Sequence, residues 1–208
     1  PGPGQAPGPE AEGLARVVPV VAALRAPLPD TPISVDTTKP AVAAAALEAG
    51  ADLVNDVLGT LATDVVTLAG SRRAPIVLMH NRRAPPYRDV VAEVVADLAR
   101  ALEAALVAGV PEDGIVVDPG IGFGKTPEHN LALLRDLGAL RTLGRPVLLG
   151  ASRKSTLGLL LDLPPGERLE ATLATTALGI AGGADILRVH DVRENMRTAR
   201  VADAVVRG

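Results

Sequence analysis

Cysteine is absent from all 208 residues, which excludes disulfides, thiolate catalysis and Cys-based metal sites. Aromatic side chains are nearly missing: there is one Phe, one Tyr and no Trp. The core must therefore be built from Leu, Val, Ile and Ala, and base stacking on aromatic faces is disfavoured as a mode of nucleic-acid binding. No apolar run reaches the ~20 residues that span a bilayer, and the N-terminus does not read as a signal peptide. Neither sign of charge dominates: 21 Lys and Arg stand against 24 Asp and Glu, a net charge of −3. That balance argues against a basic nucleic-acid face. The expectation is a cytoplasmic protein with neither nucleic acid nor membrane as a partner. With 48% apolar residues, the chain has the means to bury a substantial core as one domain over residues 1–208.

What is present is a recurring pattern. Six short β-branched runs each end in a polar residue and hand over to a helix: ISVD (Ile33 to Asp36), LVND (Leu53 to Asp56), IVLMHN (Ile76 to Asn81), IVVDPG (Ile115 to Gly120), PVLLGASRK (Pro146 to Lys154) and ILRVHD (Ile186 to Asp191). Helical segments are expected at 10–25, 39–50, 61–71, 87–109, 127–143, 167–182 and 192–206, with a shorter helix at 152–161 and a loop over 1–9. Strand–helix alternation implies parallel pairing through crossovers. A parallel (β/α)8 barrel of the TIM type gathers functional groups at the C-terminal ends of its strands. A full barrel averages ~250 residues, so six strands in this length predict six of the eight units. An open doubly wound sheet is the alternative. It is disfavoured because no G-x-G-x-x-G follows the first strand and polar endings follow every strand.

Several motifs carry candidate chemistry. DPGIGFGKT (Asp118 to Thr126) places Pro119 where a Walker loop needs glycine, and its glycines at 120, 122 and 124 miss the dinucleotide fingerprint. An acid at a strand end remains, followed by a glycine-rich turn with Phe123 and Lys125; the bland reading is a tight βα turn capped by the Asp. Asp36 shares a strand face with Ser34, and Asp118 with Val116. Either carboxylate can accept hydrogen bonds from the amino group or ring N–H of a heterocycle, although Asp36 also reads as the cap of the 39–50 helix. Asn55 and Asp56 raise the same question, and an amide both donates and accepts. In SRKS (Ser152 to Ser155) the free N–H groups of a helix start, with Arg153 and Lys154, suit an anion. Arg188 and His190 lie two apart on the last strand and share a face. Together these cations point to a polyanion such as a diphosphate. His80 and His129 read equally well as a loop or capping His, and no His or acidic spacing supports a metal site on this chain.

With these residues in view, the chain resembles dihydropteroate synthases. The resemblance rests on SVDTTK, AGADLVND, IVLMH, DPGIGFGKTPEHNLALL, LGASRKS and ILRVHDVRE, in family order and spacing over essentially the whole chain. It implies a single pterin-binding barrel domain and a transferase of folate biosynthesis. That enzyme joins 6-hydroxymethyl-7,8-dihydropterin diphosphate to 4-aminobenzoate, giving 7,8-dihydropteroate and pyrophosphate. By resemblance, Asp36, Asn55, Met79, Asp118 and Lys154 would hold the pterin. Arg188 and His190, with the helix N-terminus at Ser152, would hold the diphosphate. Phe123, Ser152 and Lys154 would border the aminobenzoate. Mg2+ would accompany the diphosphate, and a homodimer is implied. The alternatives are a pterin-binding methyltransferase, which lacks the SRKS and RVHD pair, and a non-catalytic pterin-binding fragment.

The chain departs from the family at its start. The family pattern opens with two further βα units, whose loops carry an Asn that contacts the magnesium diphosphate and a Ser-Thr-Arg-Pro-Gly segment over the aminobenzoate. The expectation is therefore a fragment of a longer synthase, or a chain that borrows two strands from a partner. Impaired activity and unpaired edges at strands 33–36 and 186–190 would follow.

Overall fold

In the computed structural model, residues 9–58, 60, 64–82 and 86–208 are described. Among the described residues six strands occur: β1 (Ser34–Asp36), β2 (Leu53–Asp56), β3 (Ile76–Met79), β4 (Ile115–Asp118), β5 (Leu148–Leu149) and β6 (Ile186–Leu187). The helices are α1 (Glu10–Arg25), α2 (Pro40–Glu48), α3 (Asp64–Arg72), α4 (Val90–Val107), α5 (Pro127–Arg135), α6 (Ser155–Leu161), α7 (Leu169–Ala181) and α8 (Val192–Arg207). The expected alternation is present, and the registered strand pairs are parallel. The loop expected over residues 1–9, apart from Pro9, and residues 61–63 of the third helix lie outside the described residues.

The chain divides into two compact units, Pro1–Asn81 with Leu98–Val116 and Arg82–Asp97 with Val117–Gly208. In the first, β1, β2 and β3 lie side by side, with Ser34 opposite Leu53 and Val54 opposite Ile76. One sheet face and the helices share a continuous apolar cluster. It includes Val35, Val54, Ile76 and Leu78 from strands and Ala43, Ala46, Val65, Ala69, Ala101 and Ala105 from helices. These strand positions are spaced by two, so the intervening residues Asp36, Asn55, Val77 and Met79 belong to the opposite face. Small alanines let the backbones approach. Gly70 is closest of all: a Cβ there would lie 2.0 Å from the Ala108 carbonyl oxygen.

In the second unit, β5 pairs with β6, and Val117 forms an isolated parallel bridge to Val147. Buried Leu133, Leu137, Leu140, Leu149, Leu157 and Ile180 supply apolar side chains. α7 packs on α8, and the buried Thr176 hydroxyl lies 2.6 Å from the Asn195 amide oxygen.

The two units share a device written in similar sequence, AGAD (Ala49 to Asp52) and GGAD (Gly182 to Asp185). In each, a glycine with φ near +100° ends the helical turn: Gly50 at 110° and Gly183 at 94°. That conformation favours glycine because it has no Cβ. The following Asp accepts the backbone N–H of the neighbouring strand's entry. Ile33 donates to Asp52 at 2.6 Å and Val147 to Asp185 at 2.9 Å. Arg25 anchors the first copy by donating to the Gly50 carbonyl and pairing with Asp52.

Three expectations need correction. The 127–143 helix breaks after Arg135, and Leu137–Leu143 is a 3-10 turn. The fifth and sixth strands are two residues each; Arg188 still donates from its backbone to the Leu149 carbonyl at 3.0 Å, but lies beyond β6. The helix expected from 152 begins at Ser155, because Arg153 takes φ 57° and its N–H turns aside to the Thr172 hydroxyl.

Candidate functional site

In the first unit, polar groups gather at the ends of β1, β2 and β3. The register places Asp36 opposite Asn55 and Asn55 opposite Val77, and Met79 lies one step further on the same face. Asn55 is buried, and its amide donates to Asp36 Oδ2 at 2.9 Å. Asp36 does not cap α2, whose N-cap is Lys39 with no side-chain cap bond. Its carboxylate, exposed at the strand end, is instead held by Asn55, an arrangement suited to a ligand that donates hydrogen bonds. Met79 and His80 are fully buried.

Asp56, on the apolar side of β2, is also fully buried. Its Oδ1 accepts the Leu58 N–H at 2.9 Å, while Oδ2 is buried without a hydrogen-bond partner among the described residues. Burial lifts its pKa to about 6, opposed by the Leu58 N–H and assisted by the Asp36 charge.

In the second unit, Asp118 ends β4 and is only 1% exposed. Its Oδ1 accepts the Gly120 N–H at 2.7 Å, so it does serve the turn as the bland reading expected. Its Oδ2 also meets the Arg188 guanidinium at 3.3 Å. Burial pushes this carboxyl above the usual carboxylate range, against the pull of Arg188, the Gly120 N–H, Lys154 and Lys125. Gly120, Gly122 and Gly124 all have positive φ, at 67°, 82° and 59°. The turn they make brings Gly122 against Lys154: a Cβ would lie 3.3 Å from the lysine Cδ. Lys125 staples the same turn by donating to the Gly120 carbonyl at 3.0 Å and the Phe123 carbonyl at 3.1 Å. Burial draws its pKa down to about 7, with Asp118 pulling the other way. Lys154 sets its ammonium 4.4 Å from the centroid of the Phe123 ring, within cation–π range.

Ser152, Lys154, Arg188 and His190 line a small cleft of about 170 Å³ together with Gly150 and Val189. The Ser152 hydroxyl lies 2.9 Å from His190 Nδ1 and accepts the His190 backbone N–H at 3.3 Å. Gly150 leaves room for Arg188, since a Cβ there would sit 2.7 Å from its Nη2. Ser152 lies three residues before the α6 start rather than at a helix N-terminus, and Lys154 is the N-cap. Arg153 does not join the cleft lining; it forms a two-pronged ion pair with Asp191, at 3.1 and 2.5 Å. His129 caps α5 in a reciprocal box with Thr126.

Sequence reasoning passed over Asn130 and Arg168. Asn130 is buried and accepts the Gly122 N–H at 2.9 Å. Arg168 donates to the carbonyls of Arg153 and Leu163, at 2.9 Å each. Both lie inside or beside helices where nothing in the pattern marks them. For the first, the one available signal is an Asn in the opening turn of the helix that follows the glycine turn.

Each group has a definite chemical capacity. Asp36–Asn55 and Asp118–Arg188 present acceptors and donors of the kind that read a nitrogen heterocycle. Arg188, His190, Ser152 and Lys154 converge on a cleft that suits an anion. Among the described residues, no group of three or more His, Asp or Glu side chains is placed to hold a metal ion. No helix among them is long and apolar enough to cross a membrane.

The family model for pterin-binding enzymes matches residues 1–190. A dihydropteroate synthase of Clostridium beijerinckii is 46% identical over 200 residues, 95% of this chain and 74% of that protein. One from Bacillus subtilis is 46% identical over 198 residues, 95% of this chain and 69% of its own length. A Clostridium difficile dihydropteroate synthase, solved in the presence of pteroic acid, superposes with a TM-score of 0.95. It is 44% identical and is matched over 99% of this chain and 79% of its own. That solved structure carries the TIM-type barrel fold, and the relatives are transferases of folate biosynthesis. The similarity settles the choice against the methyltransferase alternative. This chain belongs to the dihydropteroate synthase family of pterin-binding enzymes.

Proposed function

We propose that the chain joins 6-hydroxymethyl-7,8-dihydropterin diphosphate to 4-aminobenzoate, the reaction of its family. The observation that carries this reading is the pairing of buried Asp118 with Arg188, beside a cleft lined by Lys154, Ser152 and His190. In the proposal, Asp118 accepts hydrogen bonds from the pterin's amino group and ring N–H. Lys154, from the same unit, completes its recognition there. Arg188 has five N–H donors, enough to serve Asp118 and a diphosphate oxygen together. His190 and Ser152, already bonded to one another, present a further donor to the diphosphate. Phe123, Ser152 and Lys154 border the aminobenzoate.

The chemistry needs no protein nucleophile. The aryl amine's lone pair attacks the pterin methylene carbon while the carbon–oxygen bond breaks. That bond's electron pair departs on pyrophosphate, and the new ammonium loses one proton to solvent. The cationic cleft stabilises the negative charge that develops on the leaving group. Mg2+ is proposed to enter with the diphosphate; the described residues do not by themselves form a metal cradle, and none of the steps above runs through the ion. A cytoplasmic homodimer completes the reading.

The test is an assay of pyrophosphate release. Release that requires both pterin diphosphate and 4-aminobenzoate, with 7,8-dihydropteroate formed in equal amount, is the expected result. Binding of the pterin without any turnover would support the non-catalytic alternative and overturn the catalytic proposal.

A further inference from the structure

The chain has a single phenylalanine, and its ring sits under the Lys154 ammonium. Phe123 lies in a glycine turn held internally by Lys125 and by its own N–H on the Gly120 carbonyl, bonds that lie within the turn and its Lys125 end. Something else must hold the turn against the segment that carries Lys154. One connection is a buried amide bridge. The Asn130 Oδ1 accepts the Gly122 N–H at 2.9 Å, and its Nδ2 donates to the Thr156 hydroxyl at 2.9 Å. Asn130 and Thr156 are each 2% exposed. Gly122 immediately precedes Phe123, and Thr156 is two residues beyond Lys154 in the first turn of α6. The bridge therefore ties the backbone beside one member of the pair to the helix start beside the other.

The geometry points to Asn130 and Thr156 as positioning residues that set Phe123 against Lys154 and so govern affinity for the aromatic amine substrate. Asn suits the role because its amide accepts from one side and donates to the other. A buried donor left without its partner carries a desolvation penalty, so the turn and the α6 start hold one relative placement. The second half of the inference rests on the proposed role of Phe123 and Lys154 at the aminobenzoate. The first half does not.

A single Phe allows a direct test. Incorporating 4-fluorophenylalanine gives one fluorine NMR resonance, from position 123, in wild-type chain and in Thr156→Val and Thr156→Ser. Thr156→Val removes the hydroxyl at nearly constant shape, while Thr156→Ser keeps it. Thr156→Ala gives the same reading where the valine variant does not fold. The expected result is a shifted or broadened resonance in Thr156→Val and a wild-type resonance in Thr156→Ser. The aminobenzoate KM should rise about tenfold in Thr156→Val, the scale of one orphaned buried donor, and by more than the pterin KM, which Lys154 also touches in the proposed site; an equal rise in both overturns the link to the aromatic amine. An unshifted resonance in folded Thr156→Val overturns the inference. A shifted resonance with both KM values unchanged overturns the link to the aromatic amine. A wild-type chain without turnover overturns the proposed function, and the resonance comparison still decides the positioning claim.

Discussion

At the scale of single residues, burial decides what each acid does. Asp36 and Asp118 both end strands, yet the first is exposed and held by Asn55 while the second is buried and faces Arg188. Asp56 is the extreme case, since one of its oxygens is buried without a hydrogen-bond partner among the described residues. Its folded pKa of about 6 lies above the ordinary 3.8. The folded state therefore holds more protons than the unfolded state between these values, and stability falls as pH rises through the window. Asp56→Asn removes that titration. Its stability relative to wild type should climb between pH 4 and 6, by on the order of 2–3 kcal/mol, and stay level above. Urea unfolding at a series of pH values checks this; a difference that does not change with pH would contradict it. Residue identity alone could not separate these acids. Period-two alternation showed which face each occupied, but not whether that face was covered by protein. Asn130 was illegible for a related reason: its partners come from Gly122 and from Thr156, 26 positions downstream.

At the scale of elements, the pattern of apolar runs located every strand and most helices, because strand runs and helical stretches differ so clearly in period. Boundaries failed where side chains compete with the helix for backbone groups. α6 starts at Ser155 because the preceding turn gives its N–H and C=O groups to distant partners. Thr172 takes the Arg153 N–H, and Arg168 donates to the carbonyls of Arg153 and Lys154. Gly158 makes room for Arg168: a Cβ would sit 2.1 Å from its Nη2. Gly158→Ala should displace that guanidinium and destabilise the second unit by about 1–3 kcal/mol, the usual cost of overpacking. Gly166→Ala is the control, with no neighbouring atom within 4 Å of the added methyl and no positive φ to lose. Thermal unfolding of the two variants distinguishes them. Equal melting temperatures would contradict the part given to Arg168.

At the scale of the whole molecule, strand–helix alternation announced a parallel α/β fold, and the AGAD and GGAD turns repeat one structural device in both compact units. The Clostridium difficile structure superposes over 99% of this chain, and the chain spans 74% and 69% of the Clostridium beijerinckii and Bacillus subtilis sequences. In the proposed function, Asp118 is the group that meets the pterin. Calorimetric titration of the chain with a pterin diphosphate analogue and magnesium, run beside Asp118→Asn, tests it most directly. The account predicts one binding event in the wild type, weakened at least about a hundredfold in Asp118→Asn, as expected for losing a charge-assisted contact. Equal affinity in the two chains, or no binding to either, would contradict it.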